Sequence, residues 1–436
     1  MKGYKGLAPI VLVVCMFLSF YMLFNTRGET KRMYDNYLVE ARSKAEQGIM
    51  VDALVEYAKA MEVEDSIELN LEVGEFYLKM GELDSAIGWG QQMIEKFPKS
   101  AQAYEFLLTR YRENNDFHRC YALYSTILKR ALITPKVTEI MDEIKYVFYY
   151  GEGFDDVQTF SEGYCAVLYE GKWGMATETG EKAAPYRFRT VGAFVDGLAP
   201  VSTEAGEVFF IDCEGNKKKI IQSKDAVVEI APMVGGVYAA FDGNSWAFYN
   251  ERDEKLSENY SNVSLLANTV AAVKNEGKWQ VVDGNFQKVF PDSYVDVIQD
   301  DRGIIYRNGV VFVCQDDGYC MVDITGNKIC DKTFENARLF LDGTYAAVET
   351  DDGWTFVDAA GEYVFKDTYF DDARSFSNGL AAVCKDGIWG YIDLQGNIAI
   401  DYQFGEAKDF NGSGCAFVRN DNGWVMIRLY STNYET

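Results

Sequence analysis

Hydrophobic and polar positions along this chain fall into three regimes. Between Gly6 and Thr26, 21 residues pass without a formal charge, and LAPIVLVVCMFLSFYMLF is almost continuously apolar. As a helix at about 1.5 Å per residue this stretch would reach about 31 Å, enough to cross a bilayer. Lys2 and Lys5 in front of it would also suit a signal peptide, but no small-x-small cleavage phrase follows Phe24, so the pattern predicts an uncleaved transmembrane anchor. Lys2 and Lys5 on one flank face Arg27, Lys31 and Arg32 on the other, so the positive-inside rule nearly cancels.

From about Tyr34 to Leu132 the pattern turns helical and repeats every 33 to 34 residues. Ala53, Ala86 and Cys120 share one small-residue column, and Ala41, Gly74 and Leu108 stand twelve residues before them. Gly74, Tyr77, Ala86 and Pro98 fall where two antiparallel helices would pack through small residues and a proline would end the second.

Beyond Phe154 the alternation shortens to every second residue, as in GLAAV, GYID and NIAI, with Asp-Gly, Asn-Gly and Asp-x-x-Gly turns between. That is the signature of short antiparallel strands. Aligning DGIWGYIDLQG, residues 386–396, along this region yields a column of Trp173, Val208, Trp246, Trp279, Tyr319, Trp354, Trp389 and Trp424. Successive steps are 35, 38, 33, 40, 35, 35 and 35 residues, and six of the seven tryptophans of the protein stand in the column. Turn glycines follow seven residues later (Gly180, Gly215, Gly326, Gly361, Gly396), and an aromatic opens most units, the first being Phe154. The unit near Ser223 to Asn259 is the most degenerate.

A unit of about 36 residues supplies three or four strands that cannot bury their own faces. Stacked units can, and an indole burying roughly 150–250 Å² would cement each interface; the glycine after Trp173 and Trp389 is expected to make room for it. Such a stack closes into a β-propeller of seven or eight small blades or runs on as an open β-solenoid. Residues 146–154, YVFYYGEGF, align with the strand that the last unit lacks, which predicts closure of a propeller by an N-terminal strand.

Two resemblances follow from these residues. The helical region resembles about three tetratricopeptide repeats, which implies a groove lined by first helices and able to hold a peptide; Arg42, Glu75, Thr109 and Arg112 are the candidate lining residues. The equally weighted alternative is that these are solvated helix faces of a stalk. EGKWGMATETG, EGKWQVVDGN, DDGWTFVDAAG and DGIWGYIDLQG resemble WG repeats, the bacterial family also called KWG repeats. That family implies a β-repeat domain, often joined to membrane or secretory segments, without a catalytic residue set to carry over. The expected organisation is an α+β multidomain chain: an anchor and its flanks over 1–32, a tetratricopeptide-like helical solenoid over 33–145 and an all-β repeat domain over 146–436.

Charge and composition narrow the partners. With 42 basic and 67 acidic residues in 436, the formal charge of −25 opposes nucleic acid and anionic membrane surfaces. It favours a protein or peptide partner, a cationic one above all, with affinity that falls as salt rises. The single histidine, His118, sits in the helical region and reads as an ordinary surface or packing residue. The nine cysteines lack zinc spacing and mostly occupy apolar phrases, where cysteine serves as a small hydrophobe. QDDGYC, TDDGW and NDNGW fall at one hairpin position and lack the spaced ligands of a calcium loop. No phosphate-cradling glycine loop appears, and abundant carboxylates do not single out a hydrolase pair.

These readings predict a non-catalytic interaction scaffold without metal or cofactor, anchored once in the cell membrane with its bulk extracytoplasmic. The alternative is a propeller that binds carbohydrate or a small molecule at the cell surface.

Overall fold

The computed structural model describes residues 28–222, 227–315 and 318–431. The chain divides between Lys145 and Tyr146 into two compact units.

The first unit holds seven helices among the described residues: α1 (28–46), α2 (Met50–Val63), α3 (Ile67–Lys79), α4 (Leu83–Lys96), α5 (Ala101–Glu113), α6 (Phe117–Lys129) and α7 (Pro135–Glu143). Short links make each helix fold back on the one before. Their ends carry local signals: the Ser66 hydroxyl accepts from the Leu69 amide (3.2 Å), the Thr134 hydroxyl caps α7 with Pro135 in its first turn, and Gly48 and Gly81 take positive φ in the links. The small-residue column is fully buried at Ala53, Ala86 and Cys120. A Cβ on Gly74 would come within 2.6 Å of the Phe106 ring, so the glycine allows α3 and α5 to touch.

One expectation is corrected here. No helix among the described residues is long and apolar enough to cross a membrane, and residues 6–26, where the transmembrane helix and the single-pass membrane location were expected, lie outside the described residues. Neither is carried further.

The second unit is built from eight small antiparallel sheets. Sheet 1 spans residues 156–188, sheet 2 190–220, sheet 3 229–250, sheet 4 262–283, sheet 5 296–322, sheet 6 336–357, sheet 7 372–404 and sheet 8 406–429. Each begins with a two-residue strand and continues through a hairpin of two longer ones. In sheets 1, 2 and 7 a fourth strand follows. In sheets 3 to 6 its place is taken by paired bridges, such as Trp246 to Tyr260 and Tyr249 to Lys255. The fourth strand of sheet 8 comes from the start of the unit, where Phe148–Phe154 pairs antiparallel with Gly423–Leu429, Phe148 opposite Leu429 and Phe154 opposite Trp424.

Packing then closes the array. Eight hydrophobic clusters each join two consecutive sheets, and the cluster of Phe417, Trp424 and Met426 with Val157, Cys165 and Ala176 joins sheet 8 to sheet 1. A closed ring of sheets is a β-propeller. The tryptophan column occupies the third strand of every sheet, and each member lies in the cluster joining its own sheet to the next: Trp173, Val208, Trp246, Trp279, Tyr319, Trp354, Trp389 and Trp424 in turn. The aromatic that seemed to open each unit belongs instead to the outer edge of the preceding sheet. It pairs across from the column residue, as Phe188 does with Trp173 and Phe404 with Trp389. The aspartates of the Asp-x-x-Gly turns serve those turns; Asp393 Oδ1 accepts from the amides of Gln395 (3.0 Å) and Asn397 (2.9 Å), and Gly396 takes φ +81°.

Candidate binding site at the ring axis

The four groove candidates of the helical unit all lie on α1, α3 and α5. Arg42 on α1 donates twice to Glu72 on α3, both bonds 2.7 Å, and Glu72 also accepts from the Tyr57 hydroxyl at 2.9 Å. The Arg42 partnership holds the Glu72 carboxyl below its ordinary value. Arg112 on α5 is ion-paired with Glu143 on α7, the Thr109 hydroxyl donates to the Glu105 carbonyl (2.7 Å), and Glu75 is exposed. Arg42 and Arg112 thus brace neighbouring helices.

No disulfide joins the described cysteines. Burial pushes the thiols of Cys120 and Cys165 up to about 12, so they sit as neutral apolar groups. Among the described residues no group of three or more His, Cys, Asp or Glu side chains is placed to hold a metal ion.

The richest chemistry lies on the ring axis. Thr159 of sheet 1 and Asp301 of sheet 5 are on opposite sides of the ring, and the Thr159 hydroxyl donates to the Asp301 carboxylate. The segments that follow the two-residue strands therefore line the axis. Those of sheets 1, 5, 6, 7 and 8 border a cavity of about 280 Å³ whose lining includes Thr159, Asp301, Arg302, Arg338, Arg374 and Asp409. A smaller cavity of about 150 Å³ shares part of that lining and adds Arg307 and Lys408.

Arg374 meets Asp409 with two 2.7 Å bonds, the bidentate fork that a guanidinium makes with a carboxylate, and its Nη2 reaches Asp301 Oδ2 at 3.1 Å. Arg338 donates to Asp372 (2.8 Å) and lies over the Trp354 ring, 4.9 Å from its centroid. Arg302 holds Asp300 at 2.7 and 3.1 Å, and Arg307 stands 3.6 Å from the same carboxylate. Lys408 lies over the Trp424 ring at 5.2 Å.

Titration follows from these neighbours. Burial pushes the Asp301 carboxyl up, but Arg374, the Thr159 hydroxyl and Lys408 outweigh it and hold the group below its ordinary value. Burial lowers Arg338 against the pull of Asp372. Burial also opposes the charge on Arg374, yet Asp409 and Asp301 raise it above its ordinary value. Five cations thus face four carboxylates, Asp300, Asp301, Asp372 and Asp409, in a protein of strongly negative total charge.

The sequence pattern does not single out these residues; their clearest trace is the 40-residue step from Trp279 to Tyr319. In the structure residues 298–310, thirteen in number, join the first two strands of sheet 5, where the same connection in the other sheets holds six to eight. The added residues carry Asp300, Asp301 and Arg302 to the axis.

The fold and the site define an eight-bladed propeller with a charged axial cavity. In sequence the chain is similar to the WG containing repeat at residues 153–173, 354–387 and 389–424. No curated protein matches the chain. Among solved structures, Kluyveromyces lactis Hsv2 shares 13% identity and a TM-score of 0.37, covering 64% of this chain and 98% of that one. The Neurospora crassa Pan2 WD40 domain shares 11% identity at a TM-score of 0.35, covering 63% and 88%. A structure described as the eukaryotic initiation factor shares 11% identity at a TM-score of 0.43, covering 65% and 87%.

Proposed function

We propose that the protein is a non-catalytic interaction scaffold whose propeller holds a protein or peptide partner over the axial cavity. One observation carries the reading: charged side chains from four different sheets, with the Thr159 hydroxyl from a fifth, converge on the axis of a ring closed by inter-sheet packing. Groups fixed by separate sheets keep their spacing without a ligand, which lowers the ordering cost of binding. Arginine and tryptophan, the residue types that dominate binding hot spots, meet there as Arg338 on Trp354. The helical unit, which resembles tetratricopeptide repeats, is a second grip for a peptide, with Glu75 and Thr109 on its first helices. The acidic exterior favours cationic segments of the same partner, an attraction that salt screens.

Trp354 at the cavity wall favours the second reading, in which the axis takes a carbohydrate or another small molecule. The test is a photo-crosslinking residue in place of Gln299 on the cavity wall, with one in place of the exposed Lys366 as control, in the full chain in low-salt extracts of its own cells. Polypeptide adducts at 299 and none at 366, weakened at about 0.5 M salt, are expected. A folded variant that yields no polypeptide adduct at 299 would overturn the protein-partner reading and leave the small-molecule one.

A further inference from the structure

Asp301 is held as a bound carboxylate would be. It enters the axis from the inserted turn of sheet 5, receives the Thr159 hydroxyl from sheet 1 and takes a 3.1 Å bond from Arg374 of sheet 7. Nothing in the turn depends on it. The turn is closed by Asp300, whose Oδ1 accepts from the amides of Arg302 (3.0 Å) and Ile304 (3.0 Å), and by the Gly303 amide on the Asp300 carbonyl (2.8 Å). Nor does Arg374 need Asp301 as its main partner, because Asp409, with a side chain only 7% exposed, already takes both arms of the guanidinium. Asp301 keeps 48% of its side-chain exposure. It is therefore the outer and more weakly held of the two carboxylates on one arginine, and it faces a cavity of about 280 Å³.

Charge points the same way. With Asp301 in place the axial cluster has one cation in excess; with Asp301 drawn out it has two, at a half-exposed site where the attraction is only partly screened.

We infer that the Thr159–Arg374 wall of the axial cavity, with Lys408 from the smaller cavity that shares its lining, is a carboxylate-binding site, and that Asp301 is a built-in occupant which a ligand carboxylate displaces. This rests on the reading of the ring as a binding platform and names the chemical group it takes. The group is the carboxylate of an acidic peptide side chain or of a small organic acid; both offer the same two oxygens to the same fork. Exchange keeps the charge balance of the cluster, and the released turn remains closed by Asp300.

The experiment is calorimetric titration of the full chain with succinate, with acetylated triglutamate amide and with neutral succinamide. Asp301→Asn removes the competing charge and keeps the shape, so succinate should bind at least about tenfold more tightly than to the native chain, since one close like charge is worth that much at a half-screened site. Thr159→Val takes the same hydroxyl from Asp301 and from an incoming carboxylate, so it should leave affinity close to the native value. Adding Lys408→Gln to Asp301→Asn should undo the gain, and succinamide should bind to none of them. Tighter binding of the peptide than of succinate would assign the site to an acidic polypeptide, and the reverse to a small acid; both support the site. If Asp301→Asn melts as the native chain does and binds neither succinate nor the peptide more tightly, the inference is overturned. Succinate binding in a chain that forms no polypeptide adduct at 299 would keep the site and sink the scaffold reading alone.

Discussion

Gly174 and Gly390 follow the tryptophans of sheets 1 and 7, and what they accommodate is the outer strand, its backbone at Gly390 and both the Tyr186 ring and backbone at Gly174, rather than the indole expected from the sequence. A Cβ on Gly390 would lie 2.7 Å from the Ile400 carbonyl oxygen and 3.0 Å from the Tyr402 nitrogen; one on Gly174 would strike the Tyr186 ring and come within 3.0 Å of the Ala184 oxygen. Both glycines sit beside a register shift in the seven-residue outer strands Lys182–Phe188 and Ile398–Phe404. Where the outer edge is only bridged, the same position holds Ala247, Gln280, Cys320 or Thr355. In sheet 8 it holds Val425, and the glycine stands opposite it as Gly153 on the closing strand. Gly390→Ala should therefore cost about 1–3 kcal/mol, the usual range for forcing an extra group into packed structure. Gly284→Ala, with nothing within 4 Å of the added atom and a φ outside the positive region, should be neutral or slightly stabilising. Urea unfolding of the two variants measures both, and equal effects would refute the close-approach explanation.

At the scale of elements, much of the ring could be read from the chain because its inter-sheet contacts recur. The column from Trp173 to Trp424 and the turn glycines do one job in each sheet, so they recur at nearly one period. The axial residues do not recur: the position after the two-residue strand is Gln158, Gly192, Ala231, Ser264, Ile298, Arg338, Arg374 and Lys408 in turn. Only the last three share a character, a basic side chain, so the site leaves no trace along the whole array. The insertion carrying Asp301 registered only as a long step. In the helical unit the four groove candidates were chosen by position in the repeat, and position alone did not foretell the ion pairs that Arg42 and Arg112 make. The outer edges carry a further consequence. Residues 257–259, 290–293, 330–333 and 365–369 run between the bridges of sheets 3 to 6, whereas Ile398–Phe404 pairs as a strand in sheet 7. Amide hydrogen exchange should be faster in those four segments than in 398–404, and peptide-resolved mass spectrometry would show it. Equal protection would mean that all eight outer edges are alike.

For the whole molecule, the pairing of Phe148–Phe154 with Gly423–Leu429 decides how stability is distributed. In an open stack the last module has one neighbour and can fray by itself; in a closed ring every module has two. Trp354 and Trp424 make a matched pair for testing this. Trp354 is 5% exposed, lies under Arg338 and joins sheets 6 and 7, while Trp424 is 7% exposed, lies under Lys408 and joins sheets 8 and 1 across the closure. Replacing either by alanine empties an indole-sized space at an interface and should lower global stability by about 3–5 kcal/mol. The slope of the urea transition should stay unchanged, because neither variant creates an independent piece. A loss under about 1 kcal/mol at Trp424 with a full loss at Trp354, or a second transition appearing only in Trp424→Ala, would show that sheet 8 unfolds on its own. The ring would then be latched rather than continuous, and the axial cluster, which takes Lys408 and Asp409 from sheet 8, would open whenever the latch did.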